Sequence, residues 1–222
     1  MCTRYVSPDT AAIERVWHIG RSTPMKFPRT ELFPKYLGPF IRAVTDGAAP
    51  PTTELLLGQW WLIADGAHER LPVAKTYNAR AEDMLSRWSF RGPWLRGQRC
   101  IIPAECFYEP NWESGRHVAW RFGRADGEPW GLAGLWNTRV DPETGELQHS
   151  YAMLTQNADA HALMGRMHRP DPKRAPHLQD KRSVVPIARA DADVWLRGSE
   201  TQARALIRLP AVELFEAGPA PS

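Results

Sequence analysis

The chain has 222 residues, 43% hydrophobic and 24% charged, with a net charge of +3. This composition is that of an ordinary globular protein with a real core and excludes a disordered or fibrous one. No apolar run is long enough to span a membrane, and Met1-Cys2-Thr3-Arg4-Tyr5 has no apolar signal segment, so a cytoplasmic protein is expected. Cys2, Cys100 and Cys106 are odd in number and contain no CxxC pair, which argues against a disulfide framework and a zinc site. The small positive charge permits an anionic partner without requiring one.

In chain order, Asp9 to His18 predicts a short helix with Ile13, Val16 and Trp17 on one face. Residues 46–53 read as a surface loop, and Gly58 to Ala64 as a strand. Lys75 to Glu82 reads as extended, turning helical around Asp83–Trp88, with Ser89 capping a further helix to Arg96. Strands are predicted at 99–108, 116–123, 129–139 and 149–155, and a helix from Ala160 to Met167. Asp191–Leu196 predicts a helix. Ser199 and Gln202 predict a capping box on another, and 217–222 a frayed tail. Strands in the middle with helices toward both ends predict an α+β fold: one domain, with a mainly antiparallel, barrel-like or bifurcated sheet core flanked by helices.

Several segments carry chemistry. Removal of Met1 would give Cys2 a free α-amine beside its thiol, with ordinary pKa values of about 7.7–8.0 and about 8.5. Near neutrality such a residue would hold useful fractions of neutral amine and thiolate. A 1,2-aminothiol condenses with an aldehyde to a five-membered thiazolidine, which an internal cysteine cannot form. If Thr76–Glu82 is extended, Asn78, Arg80 and Glu82 share a face. Glu109 closes an apolar strand among Phe107, Tyr108 and Trp112, where partial desolvation suits acid–base work. His168 in Arg166-Met167-His168-Arg169-Pro170 is a candidate acid or base, with His161 its competitor. In Gln59-Trp60-Trp61-Leu62-Ile63 the two tryptophans face opposite ways, one toward a core and one available for stacking. Each segment alone also reads blandly, as a terminus, a solvated edge strand or a surface acid.

Together they resemble the SRAP family (SOS response-associated peptidase; abasic-site processing proteins). The resemblance rests on Met1-Cys2-Thr3-Arg4-Tyr5, Trp60-Trp61-Leu62-Ile63, Asn78-Ala79-Arg80-Ala81-Glu82, Cys100-Ile101-Ile102-Pro103-Ala104-Glu105-Cys106-Phe107-Tyr108-Glu109 and His168-Arg169-Pro170. Departures are Thr3 and Trp61 where the family has glycine, Glu105-Cys106 for Asp-Gly, Pro110 for Trp, and no Met in the histidine motif.

The resemblance implies covalent capture of abasic sites in single-stranded DNA during the DNA damage response, by a thiazolidine crosslink through Cys2. It also implies lyase-type activity and peptidase-like removal of Met1. Carried over, Cys2 is the nucleophile, Asn78 holds the reacting group, Glu109 shuttles protons and His168 is a second acid–base group. Arg4 and Arg80 meet phosphates. Trp60 or Trp61, with Pro39 and Thr155, lie against the DNA. No cofactor, metal or membrane partner is implied, and a monomer is expected. Two other readings are an N-terminal-nucleophile cysteine amidohydrolase, whose catalytic amine is also that of the first residue, and a non-catalytic single-strand-binding module.

Overall fold

The computed structural model describes residues 1–19, 30–44, 52–64, 66 and 75–221. Its centre is a ring of five strands. These are β3 (Leu37–Ala43), β4 (Thr53–Trp60), β6 (Arg99–Ala104), β9 (Trp130–Val140) and β10 (Leu147–Asn157), following β1 (Tyr5–Val6), β2 (Glu31–Leu32), β5 (Asn78–Arg80), β7 (Cys106–Asn111) and β8 (Val118–Arg124) in overall numbering. The order β10-β4-β3-β6-β9 closes because β9 pairs back onto β10, from Leu147↔Val140 to Met153↔Gly134. Closure leaves no free edge on the ring. Most pairings are antiparallel. β4 and β5 lie parallel to β10, one after the other along its length. β11 (Arg182–Val184) and β12 (Pro186–Ile187) extend the ring's sheet. The fold is α+β with a barrel-like core, as the strand-rich middle of the sequence predicts.

The chain leaves the barrel at Glu105. There β6 gives way to β7, which belongs to a second sheet of order β13-β8-β7-β1-β2, with β13 spanning Phe215–Pro219. Alternation along the barrel strands sorts the core into two layers. Phe40, Trp60, Cys100, Ile102, Tyr151 and Met153 pack with Cys2, Tyr5 and Phe107 of the second sheet. Ile41, Leu55, Ile101, Ala133, Ala152 and Leu154 pack instead against the helices. The helices are α1 (Thr10–Trp17), α2 (Trp88–Leu95), α3 (Ala192–Arg197) and α4 (Glu200–Ala205).

Local chemistry explains the helix limits. The Asp9 side chain accepts from Ala12 N–H at 2.7 Å and caps α1, and His18 ends it in the left-handed conformation at φ 53°. The capping box at Ser199 and Gln202 is present at α4. Ser89 does not cap α2, which begins a residue earlier after an Arg87 without a side-chain cap bond. The helix predicted at 160–167 is only a 3₁₀ turn, Met164–Arg166. There His161 Nδ1 accepts from the Leu163 and Met164 amides, competing with helical pairing. The strand predicted at 58–64 runs over Thr53–Trp60 instead, held along its length by β3. Residues 46–51 of the predicted loop lie outside the described residues. The predicted C-terminal tail is also corrected: Phe215–Pro219 pairs with β8 as an edge strand, and Phe215 packs on Trp130 with ring centroids 5.2 Å apart.

Gly134 lets β9 approach β10. A Cβ there would meet Ala152 O, Cys100 Sγ and Ile102 Cδ1, each at 2.8 Å. Gly134→Ala is therefore expected to cost about 1–3 kcal/mol as overpacking, read as a lowered urea midpoint with an unchanged denaturant slope.

Candidate functional site

Four separate elements bring the site together around the first two residues. β1 carries the chain start against β7: Tyr5 pairs with Phe107, and Arg4 O accepts from Tyr108 N–H at 3.0 Å. Cys2 is thereby drawn into the inner core layer, where it is fully buried. The first residue of β5, Asn78, donates from Nδ2 to Cys2 O at 2.7 Å. β5 is fixed in turn by its parallel register with β10, Met153↔Asn78 to Thr155↔Arg80. Glu109 projects from β7, its side chain fully buried.

His168 arrives after the 3₁₀ turn. Its Nε2 lies 2.9 Å from Glu109 Oε2, and the same nitrogen contacts the Met1 amine, which sits 3.5 Å from Glu109 Oε2. The Met1 amine therefore lies on the Glu109–His168 pair. Glu109 Oε1, Asn78 Oδ1 and His168 Nδ1 are buried and make no hydrogen bond among the described residues. Buried polar atoms left unpaired are costly. Three at one place form a polar cradle suited to a bound group.

His168 is held in an unfavourable backbone conformation, φ 63°. For a residue other than glycine this costs about 1–3 kcal/mol and persists only where surrounding contacts over-determine it. Here the His168 N–H donates to Pro110 O at 2.6 Å, and its carbonyl accepts from Lys181 Nζ at 2.6 Å. Lys181 is nearly buried, and desolvation lowers its pKa from the usual lysine range. The Asp159 carboxylate anchors that turn by accepting from the Asp180 and Lys181 amides at 3.0 and 2.8 Å. Neither Lys181 nor Asp159 stands out in the sequence: Asp180-Lys181-Arg182 reads as a solvated charge run. Only a helical or strand register with an apolar neighbour would have signalled Lys181, and the segment has none. His161 is excluded as an acid–base group by its contacts. Its Nδ1 accepts two backbone amides, and its Nε2 lies 2.9 Å from Pro210 O.

The thiol of the unprocessed chain is set by burial. Burial, with the Glu109 carboxylate adding to it, pushes the Cys2 pKa well above the ordinary thiol range. With Met1 in place the sulfur is a thiol at neutral pH, not a partial thiolate. Cys100 is raised likewise by burial, and Cys106 also.

The structure places the predicted DNA-contacting residues unequally. Arg4 stacks over Tyr108 at 4.0 Å and pairs with Glu31 at 2.5 Å. Arg80 pairs with Asp180 at 3.1 Å. Glu82, on the same face, is held bidentate by the buried Arg182, which lowers its pKa. Trp61 is half-buried, 5.4 Å from Tyr77 with Lys35 over its ring at 5.0 Å. Trp60 is a correction: it is fully buried and its Nε1 donates to Tyr77 O at 2.9 Å, so its face is spent on Tyr5 and Tyr77. Pro39 and Thr155 are corrections of the same kind, buried in β3 and β10. Thr155 O accepts from Ala81 N–H and from Arg182. All three side chains are buried in this structure.

A five-stranded barrel joined to a second sheet, with a buried cysteine at position 2 held by an asparagine and facing a glutamate–histidine pair, defines a narrow class of protein. Residues 1–218 match the model of the SOS response associated peptidase (SRAP) family, and the chain belongs to that family. It is 30% identical over 121 residues to "Abasic site processing protein HMCES" of Gallus gallus, covering 45% of this chain and 36% of that one. It is 37% identical over 87 residues to "Abasic site processing protein YoaM" of Bacillus subtilis (strain 168), covering 37% of each. The matches thus span little more than a third of these curated relatives. A crystal structure of a protein from Bordetella bronchiseptica superposes with a TM-score of 0.84 at 33% identity, over 100% of both chains. One from Bacteroides thetaiotaomicron reaches 0.75 at 18% identity over 97% of this chain and 90% of that one, a likeness of fold alone. Among the described residues no helix is long and apolar enough to cross a membrane.

Two outcomes follow for the site. Lys181→Met should keep the buried stem but leave His168 O unpaired, costing about 1–3 kcal/mol in urea unfolding and moving the His168 ring resonances in NMR spectra. The second concerns alkali. Cys2, Cys100, Tyr5 and Tyr151 all have pKa values raised by burial. Unfolded, these groups lose protons near about 8.5 for thiols and about 10 for tyrosines. Folded, they keep them, so their contribution is full below about pH 8.5 and is lost as pH rises above it. The thermal midpoint should fall progressively above that pH, and less steeply in Cys2→Ala.

Proposed function

We propose that this chain captures abasic sites in single-stranded DNA covalently, through Cys2 after Met1 has been removed, and so shields the lesion in the DNA damage response. The single observation that carries this reading is the gathering of one site at the chain start: the Met1 amine lies on the Glu109–His168 pair while Asn78 holds the Cys2 carbonyl. It is supported by membership of the SRAP family and by the printed names of the curated relatives.

The chemistry is that of an aminothiol and an aldehyde. Hydrolysis of the Met1–Cys2 peptide frees the Cys2 α-amine and removes the Met1 amine that now occupies Glu109 and His168, leaving that pair open to the new amine. The ring-opened abasic sugar presents its C1′ aldehyde to that amine, and the C–N bond forms to give a carbinolamine. A proton from the carboxyl of Glu109 leaves with the hydroxyl as water, giving an iminium. The Cys2 sulfur then adds to the same carbon, its proton passing to the Glu109 carboxylate, and the thiazolidine closes. One aldehyde and one aminothiol are consumed, and one water is released. A protonated thiol suits this order, because the amine reacts first and the sulfur is needed only once the iminium has formed. Asn78 keeps Cys2 from swinging away, and its free Oδ1 faces the reacting group. His168 serves as the second proton carrier. Arg4, Arg80 and Trp61 lie along the DNA, and the two arginines exchange Glu31 and Asp180 for phosphates. The protein needs no cofactor for these steps and acts as a monomer in the cytoplasm.

Mixing Met1-processed protein with a single-stranded oligonucleotide bearing one abasic site should give an adduct that survives denaturation. Cys2→Ala should abolish it. Glu109→Gln and Asn78→Ala should slow it on the order of 100-fold, the range of a lost general acid–base group. An undiminished adduct in Cys2→Ala would rule the reading out.

A further inference from the structure

The site's cations divide into two sets. Arg4 is paired with Glu31, Arg80 with Asp180, and Arg166 with Glu113. The last pair, with Asn111, holds the Glu113 carboxyl down to about 2. Arg116 and Arg169 are exposed and have no carboxylate partner among the described residues. Arg169 lies against Trp112, and Arg116 stands in the turn that follows it. The Arg169 guanidinium sits over the Trp112 ring at 5.3 Å, and the exposed His117 meets that ring edge-on at 6.0 Å.

This group is fastened to the reaction centre. Trp112 follows Glu109 by three residues and Arg169 follows His168 directly. The two segments are locked together by the Asn111↔Met167 bridge and by the His168 N–H to Pro110 O bond. The β7–β8 turn that carries Arg116 closes through Gly115 N–H to Trp112 O at 2.9 Å, with Gly115 at φ 78°. Trp61 approaches by a different route, through Tyr77 beside Asn78.

We propose that Trp112 and Arg169 form a second nucleotide platform, on which a base of the strand flanking the lesion stacks while its phosphate meets the arginine. The proposal rests on the abasic-site reading for its occupant. An aromatic face beside an uncompensated guanidinium suits a partner with both a π-face and a negative charge, and a single-stranded nucleotide has both. An acidic peptide would use the charge and leave the ring idle. The platform is also specific to this chain's spelling of the segment, in which Pro110 follows Glu109 and the tryptophan stands two residues later.

The test uses an undamaged, fluorescently labelled 12-nucleotide single strand and the Met1-processed protein across a salt series. Trp112→Leu should weaken binding about fivefold or more, as expected for a lost stacking contact, and Trp112→Phe should restore most of it. Arg169→Ala should also reduce the salt dependence, by about 0.7 in slope for one lost phosphate contact. In parallel, free 2-deoxyribose, which presents the same aldehyde with no flanking base or phosphate, should form adduct equally with wild type and both variants. Unchanged affinity and slope in Trp112→Leu and Arg169→Ala would overturn the platform, as would a loss seen only with poly-glutamate. Failure of wild-type protein to form any adduct would defeat the abasic-site reading instead, and the undamaged-strand arm would still report on the platform.

Discussion

The hydrogen bond from Asn78 Nδ2 to Cys2 O, 2.7 Å long and buried, joins a chain start that has almost no secondary structure of its own to a strand fixed inside the barrel. β1 is only two residues long and could not hold the terminus alone. It is stabilised by what it touches. Tyr5 pairs through its strand with Phe107, packs edge-on against Trp60 at 5.0 Å, and shares a hydroxyl contact of 2.6 Å with Tyr151 of β10. Close approach of β3 makes this possible: a Cβ at Gly38 would meet both tyrosine hydroxyls, at 2.8 and 2.3 Å. Burial of so many large side chains around residue 2 contributes about 1.5–3 kcal/mol each, which is what makes a terminus into a rigid structural element.

The electrostatic character of the site follows from that burial. A thiol, a carboxylate and an amide are brought into a region with little solvent, and a histidine is fixed at its edge. The thiol responds by staying protonated. The histidine is kept at its post by backbone bonds from two sides, at the expense of a left-handed conformation. This is strain within the candidate site, offset by Lys181 and by the turn that Asp159 organises. The surface around the site is ordered by charge as well. Most of its arginines are paired with carboxylates, as Arg4 with Glu31, Arg80 with Asp180 and Arg166 with Glu113.

The sequence carried much of this. Amphipathic spacing marked α1, and the serine and glutamine three residues apart marked α4, because caps and apolar faces are local properties. The order of strands and helices pointed to α+β. Where the reading failed, long-range pairing had overridden local preference. Residues 217–222 read as a tail, but 217–219 belong to the edge strand Phe215–Pro219 because β8 presents an open edge there. Residues 160–167 read as a helix, yet the His161 ring takes the amides that a helix would use. Trp60, Pro39 and Thr155 belong to the right segments but to the wrong side of them, since alternation gives two faces and only the closed barrel decides which is inner.

By itself, the sequence determined which residues have the chemistry: a cysteine at position 2, an asparagine in a polar strand, a glutamate ending an apolar one and a histidine before a proline-rich loop. Their side-chain types are intrinsic, although each motif read alone is bland and only their combination in order pointed to a site. Only the tertiary structure decided that these four, spread from residue 2 to residue 168, share one place, that Cys2 is a buried thiol, and that Lys181 holds the histidine. Those facts depend on contacts between residues far apart in the chain, and on desolvation, which no stretch of sequence possesses until the barrel has closed around it.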